Sequence, residues 1–109
     1  MIRQISPEDV KAKLDAGEPV YLLDVRQPEE HALCRLADSH LIPLGELPHR
    51  AGEVEPPAGA AVVVYCHHGI RSLSGAAILQ QTAGLDNVYS MAGGIEAWSA
   101  RIDPTVPRY

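Results

Sequence analysis

The residues of this sequence that are best suited to chemistry lie between positions 66 and 72. The segment reads CHHGIRS, so that a cysteine is followed by two histidines, a glycine, an apolar residue, an arginine and a serine. It comes directly after the uncharged run AVVVY, which predicts a buried strand, and before an alanine-rich segment that predicts a helix. Three interpretations compete for the cysteine: a core residue, a metal ligand, or a nucleophile in an anion-binding loop.

A nucleophilic role is favoured by the place of Cys66 at the carboxyl end of a predicted strand. Ligands of α/β sheets bind there because the next helix presents unpaired backbone N–H groups. Thiols in such settings have pKa values of roughly 3.5 to 7.5, compared with about 8.5 for a free thiol. Gly69 permits a positive φ in a curled loop, Arg71 supplies a cation, and Ser72 is predicted to be the N-cap of the helix.

The other two interpretations of Cys66 stay open at this point. An isolated cysteine in a strand-to-helix turn is commonly an inert core residue, although the accompanying Gly, Arg and Ser argue against this. A metal could be bound by Cys66 with His67 and His68, but adjacent residues rarely converge on one ion. The remaining Cys and His residues show no zinc-ligand spacing either. We therefore predict a site without a metal or an organic cofactor.

The elements that must position this segment alternate between strands and helices. Apolar and β-branched runs predict strands at residues 20 to 25, 40 to 42, 61 to 65 and 85 to 90. Capping residues, early prolines and apolar spacing predict helices that begin at Pro7 and Pro28, a helical turn within residues 44 to 50, and helices at 72 to 82 and 95 to 100. This order predicts an α/β fold with a mostly parallel central sheet and helices on both faces.

Two segments are predicted to lie outside these elements. Residues 51 to 60 contain a Pro-Pro pair and glycines, which predict a surface loop. Residues 103 to 109 contain two prolines and are predicted to form an extended strap or a frayed end. The 109 residues contain no internal repeat and match the usual size of one domain, so a single domain is predicted over residues 1 to 109.

Charge and composition exclude several classes of partner. The formal net charge is −5, whereas nucleic acids and anionic membranes select basic surfaces, so neither is expected as a partner. The first ten residues lack the apolar stretch of a secretory signal, which predicts a cytoplasmic protein. Two cysteines are too few for a disulfide framework. A small anion is still a suitable ligand, because a local group of backbone amides can bind it on an acidic protein.

Four separated segments make this sequence resemble the rhodanese family of sulfurtransferases. They read LLDVRQPEEH at 22 to 31, IPLGEL at 42 to 47, VVVYCHHGIRS at 62 to 72 and MAGGIEAW at 91 to 98, in the order and spacing of the family. The resemblance implies a single rhodanese domain in which Cys66 carries sulfur as a persulfide. The sulfur would come from a small anionic donor such as thiosulfate and pass to cyanide or a protein thiol, in two covalent steps.

The resemblance also implies roles for neighbouring residues. Six loop residues would surround the outer sulfur of the persulfide with their amides: His67, His68, Gly69, Ile70, Arg71 and Ser72. Arg71 would also hold an anionic donor, and Asp24 and Arg26 would support the site from the neighbouring strand end. The variant CRL at 34 to 36 resembles rhodanese domains attached to enzymes that activate ubiquitin-like sulfur carriers, which implies a protein acceptor.

Rival functions fit parts of the same pattern. Cysteine phosphatases and arsenate reductases of related fold have five residues between cysteine and arginine, whereas four separate Cys66 from Arg71, which favours a single sulfur over a phosphoryl group. A non-catalytic interaction or sensor domain is the other rival, and the intact cysteine argues against it. The donor is left open, because His67 and His68 stand where many thiosulfate-preferring members carry Arg or Lys. Cys34 is predicted to be structural, with a disulfide to Cys66 as the alternative.

Overall fold

The structure is a computed structural model that describes residues 2 to 109. Its strands are β1 (Arg3–Ile5), β2 (Val20–Asp24), β3 (His40–Leu41), β4 (Ala61–Tyr65) and β5 (Val88–Met91). They form one five-stranded sheet in the order β1-β5-β4-β2-β3, and each neighbouring pair is parallel. The predicted α/β class with a parallel central sheet is confirmed.

Four helices follow the first four strands and a fifth follows the last strand, and together they lie on both faces of the sheet. They are α1 (Pro7–Asp15), α2 (Pro28–Leu33), α3 (Leu47–Arg50), α4 (Arg71–Thr82) and α5 (Gly94–Arg101). Helix α1 begins as predicted, because the Ser6 hydroxyl accepts a hydrogen bond from the Asp9 amide at 3.1 Å. In the residues that the structure describes, no helix has both the length and the apolar character to cross a membrane.

Beyond shifts of one residue at the ends of other elements, the observed elements differ from the sequence predictions in three places. Strand β1 was not predicted, because RQI has two exposed residues and one buried residue and forms only by pairing with β5. Part of the predicted loop at 51 to 60 is a short 3-10 helix, Ala51–Glu53, which buries Ala51 against the core. Strand β5 begins at Val88 instead of residue 85, since its pairing with β4 starts there.

Strand β4 lies near the middle of the sheet and is buried along its whole length. Its alternate side chains enter two core clusters: Val62 and Val64 face α3 and α4, whereas Val63 and Tyr65 face α1 and α5. Both faces are therefore covered, and the uncharged run that predicted this strand is explained. The carboxyl end of β4 is held in place from both sides, and Cys66 follows it directly.

Candidate active site

The Cys66 sulfur accepts hydrogen bonds from two backbone amides, one in the loop that follows β4 and one in the first turn of α4. The Gly69 amide donates a hydrogen bond to Sγ at 3.1 Å, and the Ser72 amide donates another at 3.3 Å. Cys66 is only 1% exposed and belongs to the core cluster that contains Val64. Although the sulfur is buried, two N–H donors point at it, and such donors favour a negative charge on sulfur.

Two glycines allow the loop to curl closely against the start of α5. Gly69 has φ +95°, and a Cβ there would lie 2.9 Å from the Gly93 nitrogen. Gly94 has φ +63°, and a Cβ there would lie 2.4 Å from the His67 carbonyl oxygen. The Ile95 amide donates to the Cys66 carbonyl at 2.8 Å. The structure therefore places the glycine turn at 93 to 94 directly against the loop.

Ser72 is not the N-cap of α4, which corrects the prediction. The N-cap is Ile70, and Ser72 lies within the first helical turn. Its side chain is fully buried and its Oγ lies 2.7 Å from Ser90 Oγ on β5 and 3.5 Å from Cys66 Sγ. The hydroxyl faces the sheet because the sheet offers it a polar partner, which local capping rules do not consider. Sequence reasoning missed Ser90, whose partner is eighteen residues away.

Arg71 is paired with a carboxylate of α2. Its Nη1 donates to Glu30 Oε1 at 2.8 Å and its Nη2 donates to Oε2 at 3.1 Å, in a two-bond geometry. Chiefly through this hydrogen bonding, the pKa of Glu30 falls to about 2 and the pKa of Arg71 is raised. Sequence reasoning missed Glu30, because its partner Arg71 lies 41 residues away in the chain.

Asp24 and Arg26 form a fully buried ion pair at the carboxyl end of β2. Arg26 Nη2 donates to Asp24 Oδ2 at 2.7 Å and Nε donates to Oδ1 at 2.9 Å. Burial alone would lower the pKa of Arg26, but the hydrogen bonds with Asp24 and Tyr109 outweigh it and raise this pKa overall. Arg26 also donates to the Cys34 carbonyl at 2.6 Å and to the Tyr109 hydroxyl at 2.7 Å.

Tyr109, in the segment predicted to form an extended strap or a frayed end, contacts the loop. Its ring stacks on His67 with 3.9 Å between centroids, and its hydroxyl donates to Glu30 at 2.7 Å. The other face of His67 stacks on His68, also at 3.9 Å. Burial lowers the pKa of His67, which favours the neutral ring. Sequence reasoning gave no signal for Tyr109, since its partners Glu30 and Arg26 are distant in the chain.

The histidines do not form the metal site that was considered from the sequence. Donor atoms of His67, His68 and Glu96 lie within 4.8 Å of one another, and Cys66 is not part of this group. The two imidazole rings are stacked face to face, whereas ligation needs the in-plane lone pairs of both rings to meet at one point. Glu96 is also paired with Arg108.

Cys34 and Cys66 are both free and lie in different core clusters. Cys66 packs with Val64 on the α4 face of the sheet, whereas Cys34 packs with Leu36 and Trp98 on the α5 face. Arg26 Nη1 approaches the Cys34 sulfur at 3.9 Å. This placement agrees with a structural Cys34.

The comparisons with known proteins agree in the kind of domain they identify. A family model described as a rhodanese-like domain matches residues 6 to 101. A sulfurtransferase of Allochromatium vinosum is 35% identical, with 97% of this chain and 96% of that protein covered. The solved structure of a rhodanese-related protein from Thermoplasma volcanium has 32% identity and a TM-score of 0.81, and it covers 98% of this chain and 99% of that one.

Other relatives are much longer than this chain. The adenylyltransferase and sulfurtransferase MOCS3 of Mus musculus is 36% identical over 126 residues, which cover 97% of this chain. The chain spans only 27% of the length of that relative.

Proposed function

Because the chain belongs to the family of rhodanese-like domains, we propose that it moves sulfane sulfur from a donor such as thiosulfate to a thiophilic acceptor through a persulfide on Cys66. The family contains named sulfurtransferases, so transfer of sulfur is the chemistry to which the site belongs. The observation that carries the proposal is the pair of amides, from Gly69 and Ser72, that donate to the cysteine sulfur.

The first step of the proposed reaction loads the cysteine. The Cys66 thiolate attacks the outer sulfur of thiosulfate, and a new S–S bond forms while the S–S bond of thiosulfate breaks. The electron pair of the broken bond leaves with sulfite, and the enzyme keeps the sulfur as a persulfide anion. Loop amides stabilise this anion without reorganising, as preorganised donors do in other sites where negative charge develops.

The second step returns the enzyme to its starting state. An acceptor nucleophile attacks the outer sulfur, the persulfide S–S bond breaks, and its electron pair returns to Cys66 as thiolate. Cyanide would leave as thiocyanate, and a thiolate would leave as a new persulfide. Because some longer relatives are named as adenylyltransferase and sulfurtransferase in one chain, we include a protein thiol or a sulfur-carrier protein among the acceptors.

The surrounding residues have supporting roles in this proposal. The backbone of the loop at residues 67 to 72 would surround the outer sulfur, with His67, His68 and Ile70 forming its rim. Asp24 and Arg26 would hold the neighbouring strand end, since their ion pair reaches the loop through Tyr109. We place the reaction in the cytoplasm, where thiols stay reduced.

The proposal is tested by intact mass after incubation with excess thiosulfate, followed by dithiothreitol. Wild type should gain one sulfur atom that maps to Cys66 and is removed by the reductant, and thiocyanate should form when cyanide is added. Cys66→Ser should gain none, whereas the matched control Cys34→Ser should behave as wild type because Cys34 lies in the other core cluster. Equal thiocyanate formation by wild type and Cys66→Ser would contradict the proposal. Turnover of an aryl phosphate without sulfur transfer would favour the phosphatase alternative.

A further inference from the structure

We propose that this site prefers a sulfane donor that carries one negative charge, such as an organic persulfide or thiosulfonate, over the dianion thiosulfate. The inference rests on the proposed sulfur transfer at Cys66 and specifies the donor class for that site. It is carried by the contacts of Arg71, whose guanidinium is already engaged by the carboxylate of Glu30.

The charges around the loop balance one another. Three guanidinium groups contact the loop or the residues that hold it, and each has a carboxylate partner: Arg71 with Glu30, Arg26 with Asp24, and Arg108 with Glu96. The positive charge of these three groups is therefore offset within the protein. The chain as a whole carries a formal net charge of −5, so the long-range field does not attract a dianion either.

Glu30 is held as a carboxylate by several donors at once. Besides Arg71, the Gln27 amide donates to its Oε1 at 3.0 Å and the Tyr109 hydroxyl donates to its Oε2 at 2.7 Å. Its side chain is 18% exposed and that of Arg71 is 34% exposed, so water screens the pair only in part. With its pKa at about 2, Glu30 stays ionised at neutral pH and continues to offset the charge of Arg71.

The donors that face the sulfur are neutral dipoles. Cys66 Sγ accepts hydrogen bonds from the amides of Gly69 and Ser72, which suit one anionic sulfur. His67, next to Cys66 in the loop, is kept neutral by a lowered pKa whose main cause is burial. The described contacts therefore provide for a persulfide anion but supply no uncompensated cation for a second negative charge.

The charge balance of the loading step shows how the lack of an uncompensated cation affects the two classes of donor differently. When the Cys66 thiolate meets thiosulfate, the reacting groups together carry three negative charges, and a sulfite dianion leaves. With a thiosulfonate anion, the reacting groups carry two, the same S–S bond forms and breaks, and a sulfinate monoanion leaves. In a site without a free cation, one additional charge at contact distance should slow the reaction roughly ten-fold or more.

The test compares thiosulfate with methanethiosulfonate, which has a methyl group in place of one charged oxygen. The rate of one-sulfur gain at Cys66 is followed by intact mass in single-turnover reactions without an acceptor. Each rate is divided by the rate at which the same donor reacts with 2-mercaptoethanol, a thiol without any other charged group, so that the intrinsic reactivity of each donor with a thiolate cancels. We expect the corrected rate of wild type to be roughly ten-fold higher with methanethiosulfonate.

Glu30→Gln provides the decisive variant. Gln keeps the size of the side chain and can still accept from the Gln27 amide, but it frees the charge of Arg71. We expect the thiosulfate-to-methanethiosulfonate rate ratio to rise about ten-fold. Glu29→Gln is the matched control, because it removes the same charge from the neighbouring, exposed residue. Its donor ratio should change less than about two-fold from that of wild type.

The Arg71→Gln variant tests whether the effect of Glu30→Gln on the donor ratio depends on Arg71. If Glu30 acts through Arg71, Glu30→Gln should no longer change the donor ratio when Arg71 is already replaced by Gln. A ratio that rises equally in both backgrounds would contradict the role given to Arg71 and overturn the inference.

The remaining outcomes separate this inference from the proposed function. Two outcomes would overturn the donor preference and leave sulfur transfer intact, provided that both donors add sulfur. One is a corrected rate that is higher with thiosulfate. The other is a donor ratio in Glu30→Gln that is no higher than the ratio in Glu29→Gln. If neither thiosulfate nor methanethiosulfonate adds sulfur to Cys66, the proposed function itself is contradicted. Should Glu30→Gln fail to fold by circular dichroism, the corrected wild-type ratio alone decides.

Discussion

At the scale of single residues, the carboxylate of Glu30 joins parts of the protein that are far apart in sequence. It accepts from Arg71 of the loop and from the hydroxyl of Tyr109, which in turn accepts from the buried Arg26. The hydrogen bond with Arg71 is the main cause that lowers the Glu30 pKa to about 2. The rim of the site is therefore stabilised by an ionised group whose contribution depends on pH.

We predict a pH-dependent stability difference between wild type and Glu30→Gln. The pKa of Glu30 is about 2 in the folded protein and about 4.3 in an unfolded chain, so its ionised form stabilises folding above roughly pH 4.3. This contribution is lost as the pH falls from there through about 2. We expect the free energy of unfolding of Glu30→Gln to be about 1 kcal/mol lower than that of wild type near neutral pH, after allowance for screening. The difference should become progressively smaller below about pH 4.3.

Urea unfolding followed by circular dichroism at several pH values measures this difference. Glu29→Gln is the control, because its exposed carboxylate has no hydrogen-bonded partner within the described residues, and its curve should stay close to that of wild type. A loss in Glu30→Gln that is the same at neutral and at acidic pH would show that the pair does not stabilise the fold through its charge.

At the scale of elements, the loop after β4 is held by the start of α5. The Ile95 and Glu96 amides donate to the carbonyls of Cys66 and His67, at 2.8 and 3.0 Å. These are unpaired N–H groups at a helix N-terminus, used here to fix a loop backbone. The contact requires a very close approach at Gly94, where any Cβ would collide with the His67 carbonyl.

Replacement of Gly94 by Ala should therefore affect both stability and activity. Gly94 has a positive φ and a backbone atom within 2.4 Å of an added Cβ, whereas Gly84 has a similar φ of +68° but open space around it. We expect Gly84→Ala to lower the free energy of unfolding by about 1 kcal/mol, because alanine is strained at a positive φ even without a clash. Gly94→Ala should cost at least about 2 kcal/mol more, since the backbone must shift to relieve the clash.

Thermal or urea unfolding measures the two losses, and intact mass after donor treatment measures sulfur gain. Gly84→Ala should keep sulfur gain at Cys66, because Gly84 follows the far end of α4. Gly94→Ala should reduce it, because the loop amides are displaced from the sulfur. Equal stability and equal sulfur gain in the two variants would show that the α5 contact does not hold the loop.

At the scale of the whole molecule, the sheet is covered on both faces and the site lies at the carboxyl ends of its strands. Leu79 of α4 is fully buried against one face, whereas Leu33 at the end of α2 is 54% exposed. A domain of this size has a stability of about 5 to 15 kcal/mol, so one large cavity removes a substantial part of it.

Leu79→Ala and Leu33→Ala are a matched pair that compares the loss of a buried leucine with the loss of an exposed one. We expect Leu79→Ala to lose about 2 to 5 kcal/mol through lost burial and a cavity, and Leu33→Ala to change stability by at most about 0.5 kcal/mol. The free energies of unfolding come from urea titrations with wild type as reference. Similar losses in the two variants would contradict the description of the core.

Much of this protein could be predicted from the sequence because the signals are local. The unbroken run at β4, the Ser6-Pro7 helix start and the place of Cys66 after a strand depend only on neighbouring residues, and each matches the structure. The conformation of Gly69 was predicted in the same way, since a positive φ is a backbone property of one residue.

Only the tertiary structure decided which residues meet around the sulfur. Strand β1 exists because it pairs with β5, and Arg71 meets Glu30 across 41 residues of sequence. Arg26 meets Tyr109 across 83 residues, and the Ser72 hydroxyl turns from the predicted capping role toward Ser90. Such contacts depend on how the elements pack, which local propensity does not encode, whereas the type and spacing of the residues in the loop are properties of the chain itself.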